Sequence, residues 1–225
     1  MQIRRIIALS GTTFALVLTP LLSTAALAAD NQVTVRVEGT SRTLLPTTTV
    51  QTHTGSIREG GTPPGDCPAT SAAGALDVAT HHRWRGMFYA SVPGIFVTSI
   101  FGEKATGSDY WTVFVDNQSS SLGICSLKLH RGEQLLFAVT NGNEYPIVLA
   151  APKHATTNHS FEVKVSYYAK GVAKPLAGVS VNGANTVSNR SGIVTITPKR
   201  VGKLTLKGTR SGYVRSAAAT VTVAS

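Results

Sequence analysis

The acidic and nucleophilic side chains of this sequence are the first place to look for chemistry. Glu103 and Asp109 are six positions apart, across a predicted loop. Two such carboxylates hydrolyse a glycosidic bond only when folding holds them about 5–10 Å apart. A solvent-exposed loop is the simpler interpretation. No G-x-S-x-G, P-loop or G-x-G-x-x-G motif occurs either. The sequence therefore predicts a protein that is not an enzyme.

Three histidines raise the question of a metal site. His81 and His82 are adjacent, so their rings point to different sides of a helix or a strand, and His53 lies far upstream. No H-x-x-E-H or C-x-x-C pattern accompanies them. We therefore expect no bound metal.

The first 28 residues have the features of a secretory signal. Arg4 and Arg5 supply the positive start, an apolar stretch follows, and Ala26 and Ala28 form an A-x-A cleavage site. The uninterrupted apolar stretch is too short to span a bilayer. We predict a signal peptide over residues 1–28, a secreted or cell-surface protein, and no transmembrane segment after cleavage.

The predicted export determines the redox environment of Cys67 and Cys125, the only two cysteines in the chain. Cysteines in an oxidising compartment usually pair, whereas a catalytic thiol needs a free thiolate and a base within reach. We predict a disulfide bond, which the chain-entropy model values at about 4 kcal/mol for a loop of this length.

One helix is predicted directly after Cys67. Thr70 or Ser71 can cap its N-terminus, and Ala72, Leu76 and Ala79 then recur on one face. Small residues on that face allow the helix to lie close to a sheet.

Alternating apolar residues predict strands on both sides of this helix. Pro46 cannot donate to a ladder, so its strand is expected at a sheet edge or at a bulge. The order of a hairpin, a helix and further strands is that of a β-grasp domain (ubiquitin-like, α+β), which we assign to residues 29–149. The strands are predicted at residues 33–39, 43–52, 94–102, 109–118 and 133–139.

Several segments of this domain carry a family resemblance. They are VTVRVEG, GDCPATSAAGALDVAT, FVTSIFGE, YWTVFVDNQ, the turn containing GIC, and RGEQLLF, between residues 33 and 140. Together they resemble a bacterial domain of unknown function that is similar to the C-terminal domain of transcobalamin and intrinsic factor. The resemblance implies a β-grasp fold. In the vertebrate proteins this domain helps to cover cobalamin, which makes a corrinoid or another ring-shaped molecule a candidate ligand here.

Aromatic side chains are the candidate ligand-binding residues, because aromatic faces suit sugar rings, tetrapyrroles and protein partners. Five of them cluster around the helix exit and the strand at Tyr110: Trp84, Phe88, Tyr89, Tyr110 and Trp111. The candidates among these are Trp84, Tyr89 and Tyr110. Trp84 lies between two arginines in a polar stretch, which leaves both exposure and burial open. We interpret Trp111 as a core residue.

Residues 150–160 are small, polar and contain a proline, which predicts a linker. Residues 161–225 then give short alternating strands with turns about every ten residues, which favours a β-sandwich. The pattern PLAGVSVNG, TVSNRSGIVTITP, GKLTLKGTRSGYVRS and VTV resembles bacterial Ig-like and carboxypeptidase-regulatory-like domains. The predicted fold is thus mainly β with one helix, a β-grasp domain followed by an Ig-like β-sandwich.

The charge of the chain is concentrated in this second domain. Residues 161–225 contain 10 Lys and Arg against one acid, a net charge of +9, whereas residues 30–160 have a net charge of −1. We expect an anionic cell-envelope polymer as partner and no nucleic acid, because the protein is exported. The candidate residues are Lys199, Arg200, Lys203, Lys207 and Arg210.

The predicted function is a non-enzymatic binding or scaffold protein of the bacterial envelope. The alternative is a small-ligand binding module for a corrinoid-like or other ring-shaped molecule. A hydrolase has only the exported location in its favour.

Overall fold

The structure is mainly β with one α-helix, as the sequence predicts. The computed structural model describes residues 31–91 and 94–225, so the predicted signal peptide lies outside the described residues. No helix in this part of the chain has the length and apolar character needed to cross a membrane. The helix, α1 (Ala72–Thr80), lies between the second and third strands in chain order.

Eight strands belong to the first part of the chain. They are β1 (Gln32–Glu38), β2 (Thr43–Gln51), β3 (Trp84–Tyr89), β4 (Gly94–Ile100), β5 (Glu103–Lys104), β6 (Tyr110–Val115), β7 (Gln118–Ser119) and β8 (Gln134–Thr140). Five of them form a mixed sheet in the order β2-β1-β8-β6-β7, in which β1 and β8 run parallel. A separate antiparallel sheet contains β3, β4 and β5.

The edge position predicted from Pro46 is confirmed. Its strand, β2, is an edge of the five-stranded sheet and pairs only with β1. The register with β1 shifts between the pairs Val35–Thr48 and Val37–Leu45, so Pro46 lies at an irregularity of the ladder. A residue without an N–H is tolerated at such a position.

Helix α1 packs on this sheet with more of its surface than the sequence pattern indicates. Residues 72–76, Ala79 and Thr80 are all buried, beside the buried valines of β1. Gly74 is required there, since a Cβ at this position would lie 1.9 Å from the carbonyl oxygen of Ala69. The close helix–sheet contact expected from the small residues is therefore present.

The start of α1 is held in a way that the sequence did not predict. Ser71 is the N-cap residue, but its side chain makes no capping hydrogen bond. The N–H groups of Ala72 and Ala73 instead donate to the carbonyl oxygens of Leu127 and Ile124, at 3.1 and 3.0 Å. These carbonyls flank Cys125, which forms the predicted disulfide bond with Cys67.

The second part of the chain contains eleven short strands. They are β9 (Tyr145–Pro146), β10 (Val148–Ala150), β11 (His154–Thr156), β12 (Phe161–Ala169), β13 (Val172–Pro175), β14 (Ser180–Val181), β15 (Ile193–Ile196), β16 (Gly202–Leu206), β17 (Gly208–Thr209), β18 (Tyr213–Val214) and β19 (Ala219–Ala224). Strands β10, β12, β13 and β15 form one sheet, and β11, β19 and β16 form another. Val163, Val194, Leu206 and Val221 are buried in the core of this part.

The predicted linker is ordered as part of this second body. Within residues 150–160, β11 pairs in parallel with β19, and Ala151 and Ala155 pack against the second core. The two parts also share a small cluster, in which Val214 packs with Phe114, Leu136 and Ala138.

Candidate functional site

Trp84, the first of the predicted ligand-binding residues, lies in the core of the first part. Its side chain is 1% exposed, and its indole N–H donates to Oδ1 of Asp77 at 2.8 Å. Asp77 also accepts a contact from Nδ1 of His82 at 2.7 Å. The polar stretch around Trp84 is compatible with either exposure or burial of the ring. Asp77 favours burial, because it accepts a hydrogen bond from the only polar group of the indole. The Trp84 ring is therefore almost completely buried.

Tyr89 and Tyr110 are both exposed but lie on different strands. Tyr89 ends β3, where it pairs with Gly94, and Tyr110 begins β6, where it pairs with Thr140. Of the three aromatic candidates, only Tyr110 contributes to the groove described next. Tyr89 and Tyr110 are thus surface residues, whereas Trp84 is buried.

A groove of about 410 Å³ lies between β4 and β6 and is closed on one side by the segment that follows β7. Among the side chains around it, Phe96 is 48% exposed, Tyr110 39% and Leu122 53%. The lining consists of residues 95–97, 110–113 and 119–124 and Gly142. None of these residues carries a charge, and the polar groups among them are hydroxyls, main-chain groups and the indole N–H of Trp111, which is buried without a hydrogen-bond partner.

The groove adjoins a larger exposed apolar surface. Met87 lies directly opposite Phe96 in the β3–β4 ladder, and Tyr89 is two residues further along β3. We call Met87, Tyr89, Phe96, Tyr110 and Leu122 the apolar patch. These are five of the nine large hydrophobic side chains that are exposed among the described residues. Such a concentration on one side of a protein is typical of an interaction surface.

The walls of the groove include strand edges without a neighbouring strand. On β6, the carbonyl oxygen of Val113 accepts from Ser120 on the β7 side, and the N–H of Asp116 donates to Gln134 on the β8 side. Because main-chain groups alternate along a strand, those of Trp111 face the β7 side. Strand β7 ends at Ser119, so no strand pairs with Trp111 at that edge.

The opposite wall has a similar edge. Away from β3, strand β4 is paired only by β5, and only at Ser99 and Ile100. The part of β4 before Ser99 therefore has one open edge in the described structure. Strands β4 and β6 approach each other across the groove without forming a ladder.

A larger cavity of about 530 Å³ opens beside the start of α1, next to Ser71, Cys125 and Lys128. It is a weaker candidate for a binding site. The first N–H groups of the helix are already occupied by the carbonyls of Ile124 and Leu127, and the Ser71 hydroxyl is buried without a hydrogen-bond partner. The N–H groups of Ala72 and Ala73 are therefore not available to a ligand in this cavity.

The histidines do not converge. His81 and His82 end the helix with left-handed φ values of 51° and 60°, and His82 is in contact with Asp77. Within residues 31–91 and 94–225, no three His, Cys, Asp or Glu side chains lie together in a way that could hold a metal ion.

Three of the five predicted polyanion-binding residues form one exposed group. Lys199, Arg200 and Lys203 surround a shallow cavity of about 390 Å³ at the turn that leads into β16. We call these three residues the cationic turn. In the described structure, no hydrogen bond or ion pair occupies their charged groups.

The other two predicted residues have intramolecular partners. Arg210 donates to the carbonyl oxygen of Ala177 at 2.6 Å, and its guanidinium lies over the Tyr213 ring. Lys207 directly follows the end of β16, and its side chain reaches towards the first part of the chain. Its Nζ lies 3.0 Å from Oε1 of Glu38 and also contacts the hydroxyl of Thr43.

Glu38 is the centre of a buried ion cluster that joins the two parts of the chain. Its carboxylate is 1% exposed and accepts from Nη1 of Arg36 at 2.6 Å, Nζ of Lys207 at 3.0 Å and Nε of Arg215 at 3.0 Å. Burial lowers the pKa of the Arg36 guanidinium, and the opposing charge of Glu38 offsets this only in part. Arg215 further donates to the carbonyl oxygens of Gly39 and Arg42. Lys207 and Arg215 therefore hold the two parts together.

Comparison with known proteins finds one family. Residues 71–141 match a family described as Domain of unknown function (DUF4430), in agreement with the predicted resemblance of this region to a bacterial domain of unknown function. The matched segment includes α1, β3 to β8 and nearly the whole lining of the groove. No curated protein matches the chain.

Proposed function

We propose that the protein is an exported, non-enzymatic binding and scaffold protein of the bacterial envelope. Its first part binds a partner at the groove, and its second part attaches to an anionic envelope polymer through the cationic turn. The observation that carries this proposal is the groove itself. It is uncharged and open, it is bordered by the apolar patch, and it lies within the segment that matches a protein family.

A binding role is favoured over catalysis by the composition of the groove. Ser119, Ser120 and Ser121 are potential nucleophiles, but no histidine or carboxylate lines the groove to act as their base. Glu103 is also engaged elsewhere, because it accepts the N–H of Thr40 at 2.6 Å. These side chains fit the recognition of a neutral partner better than they fit hydrolysis.

We also propose a fold for each of the two parts. A single helix packed on a mixed sheet with a parallel β1–β8 pair supports a β-grasp domain similar to the C-terminal domain of transcobalamin. Two sheets around one core in the second part support an Ig-like β-sandwich. In this arrangement the β-sandwich domain anchors the first domain at the envelope.

The cationic turn can be tested with a matched pair of variants. The triple variant Lys199→Gln, Arg200→Gln, Lys203→Gln removes three charges from the turn. The control Lys164→Gln, Lys170→Gln, Lys174→Gln removes three charges from other exposed positions. We expect the wild type and the control to be retained on immobilised wall teichoic acid at low salt. The turn variant should elute early, and salt approaching 1 M should release all three proteins, because the Debye length then falls to about 3 Å.

Two results contradict envelope attachment through this turn. One is the absence of retention at low salt. The other is an equal loss of retention in both triple variants, which would assign the effect to net charge rather than to the turn.

A ring-shaped small molecule is the second candidate partner, and the aromatic rings of Phe96 and Tyr110 at the groove favour it. Dicyanocobinamide is a suitable corrinoid probe. A ligand that binds only the folded protein raises the melting temperature when it is in excess over its Kd. A saturable rise that disappears in Tyr110→Ser supports the corrinoid, and an unchanged melting curve removes it.

A further inference from the structure

We propose that the groove between β4 and β6 is a docking site for an extended, uncharged polypeptide segment, which adds as a strand to the free edge of β6. The proposal rests on the proposed binding function and specifies its partner. It draws on three independent properties of the groove: an open main-chain edge, an exposed apolar border and the absence of charge.

The open edge supplies the hydrogen bonds. The N–H and C=O of Trp111 face away from β8 and meet no strand, because the β6–β7 hairpin separates after Ser120. An extended peptide placed along β6 continues the ladder that β7 leaves incomplete. Main-chain pairing of this kind gives affinity, and pockets for alternate side chains give specificity.

The exposed border supplies the apolar contacts. Side chains of a strand alternate between its two sides, so every second residue of a docked peptide faces the same way. Phe96 and Tyr110 stand on the two walls, and Leu122 lies on the segment that closes one side. These side chains offer apolar contacts to alternate residues of the peptide, which should therefore be apolar.

The composition of the lining favours a peptide over two other kinds of partner. An acidic polymer finds no cation among the lining residues. A neutral glycan finds aromatic rings, hydroxyls and the Trp111 indole N–H, but it finds no carboxylate, amide or guanidinium side chain to pair with two neighbouring sugar hydroxyls at once. A peptide needs only the main-chain edge and the apolar side chains that are present.

The experiment uses a display library of random twelve-residue peptides, selected against the mature protein without its signal segment. The groove variant is Phe96→Ser with Tyr110→Ser. The matched control is Val172→Ser with Val187→Ser, which removes two exposed apolar side chains elsewhere. All three proteins are first compared by thermal melting, so that a variant that fails to fold is recognised. The peptides enriched by the selection are then synthesised, and the Kd of each for the three proteins is measured by titration.

We expect enriched peptides with apolar residues at alternate positions and few charges. They should bind the wild type and the control alike, and the groove variant at least about tenfold more weakly, which corresponds to about 1.4 kcal/mol. N-methylation should weaken binding by a similar factor at one set of alternate positions only, because only one set of N–H groups faces β6.

Three results overturn the proposal: no enrichment over the groove variant, indifference to N-methylation at every position, or saturable binding of cellohexaose at the groove in place of any peptide. The attachment of the second part is tested separately by the teichoic acid columns. Peptide binding without polymer retention leaves the docking site in place and removes the envelope partner. Polymer retention without peptide binding does the reverse.

Discussion

Trp84 illustrates how a single residue can have a different role from the one that its neighbours in sequence indicate. Arg83 and Arg85 on either side are exposed, yet Trp84 is buried and bonded to Asp77. Phe96, which the sequence did not single out, is exposed and lines the groove. Its neighbours Ile95 and Val97 are buried on the other face of β4, so the uninterrupted apolar run concealed an outward-facing ring.

The burial of Trp84 gives a direct prediction. Trp84→Ala removes a fully buried indole and leaves a cavity, so it should lower the free energy of unfolding by about 3–5 kcal/mol. Tyr89→Ala on the same strand is the control, and as an exposed change it should stay within about 0.5 kcal/mol. Urea denaturation followed by circular dichroism measures both. A Trp84→Ala protein as stable as the wild type contradicts the burial of this ring.

At the scale of the element, helix α1 depends on distant main-chain groups for its N-terminus. The sequence indicated a hydroxyl cap, but the disulfide partner Cys125 brings the carbonyls of Ile124 and Leu127 to the first N–H groups. The hydroxyl of Ser71 is left buried without a partner. The local sequence predicts where the helix starts. It does not show which carbonyl oxygens, about fifty residues further along the chain, accept the hydrogen bonds of the first helical N–H groups.

Ser71→Ala separates the two explanations of the helix start. Loss of a capping side chain usually costs about 1 kcal/mol. Here the hydroxyl makes no hydrogen bond, so its removal should leave the free energy of unfolding unchanged or raise it slightly, since an unsatisfied buried polar group is removed. Guanidinium denaturation of the oxidised protein is the measurement. A loss near 1 kcal/mol would show that Ser71 caps the helix after all.

At the scale of the whole molecule, the two parts are joined by charge as well as by apolar contact. Local patterns in the sequence predicted strands in both parts, as the alternation of Val33, Val35 and Val37 did for β1. The sequence also showed the basic excess of the second part. It did not predict that Lys207 pairs with Glu38, which lies 169 residues away. Alternation along a strand predicts which face of the sheet a side chain lies on. It does not predict which distant residue of the chain lies opposite that side chain.

Glu38→Gln tests this junction. The variant leaves Arg36, Lys207 and Arg215 together without the carboxylate that balances them, and breaking a buried ion pair costs about 3–5 kcal/mol. We expect a loss of that order in thermal unfolding, together with faster proteolysis at the junction. Glu162→Gln, which removes the same charge from an exposed position, is the control. Equal stability of the two variants contradicts the role assigned to Glu38.

Amide hydrogen exchange at Trp111 tests most directly whether the groove holds an unoccupied strand edge that receives the partner. In the free protein, the Trp111 amide should exchange much faster than those of Thr112 and Phe114, which face β8 in the same strand. Addition of a selected peptide should slow exchange of the Trp111 amide and leave the exchange rates of the Thr112 and Phe114 amides unchanged. If the Trp111 amide in the free protein is as protected as that of Thr112, the edge is already occupied and the account of the groove is wrong.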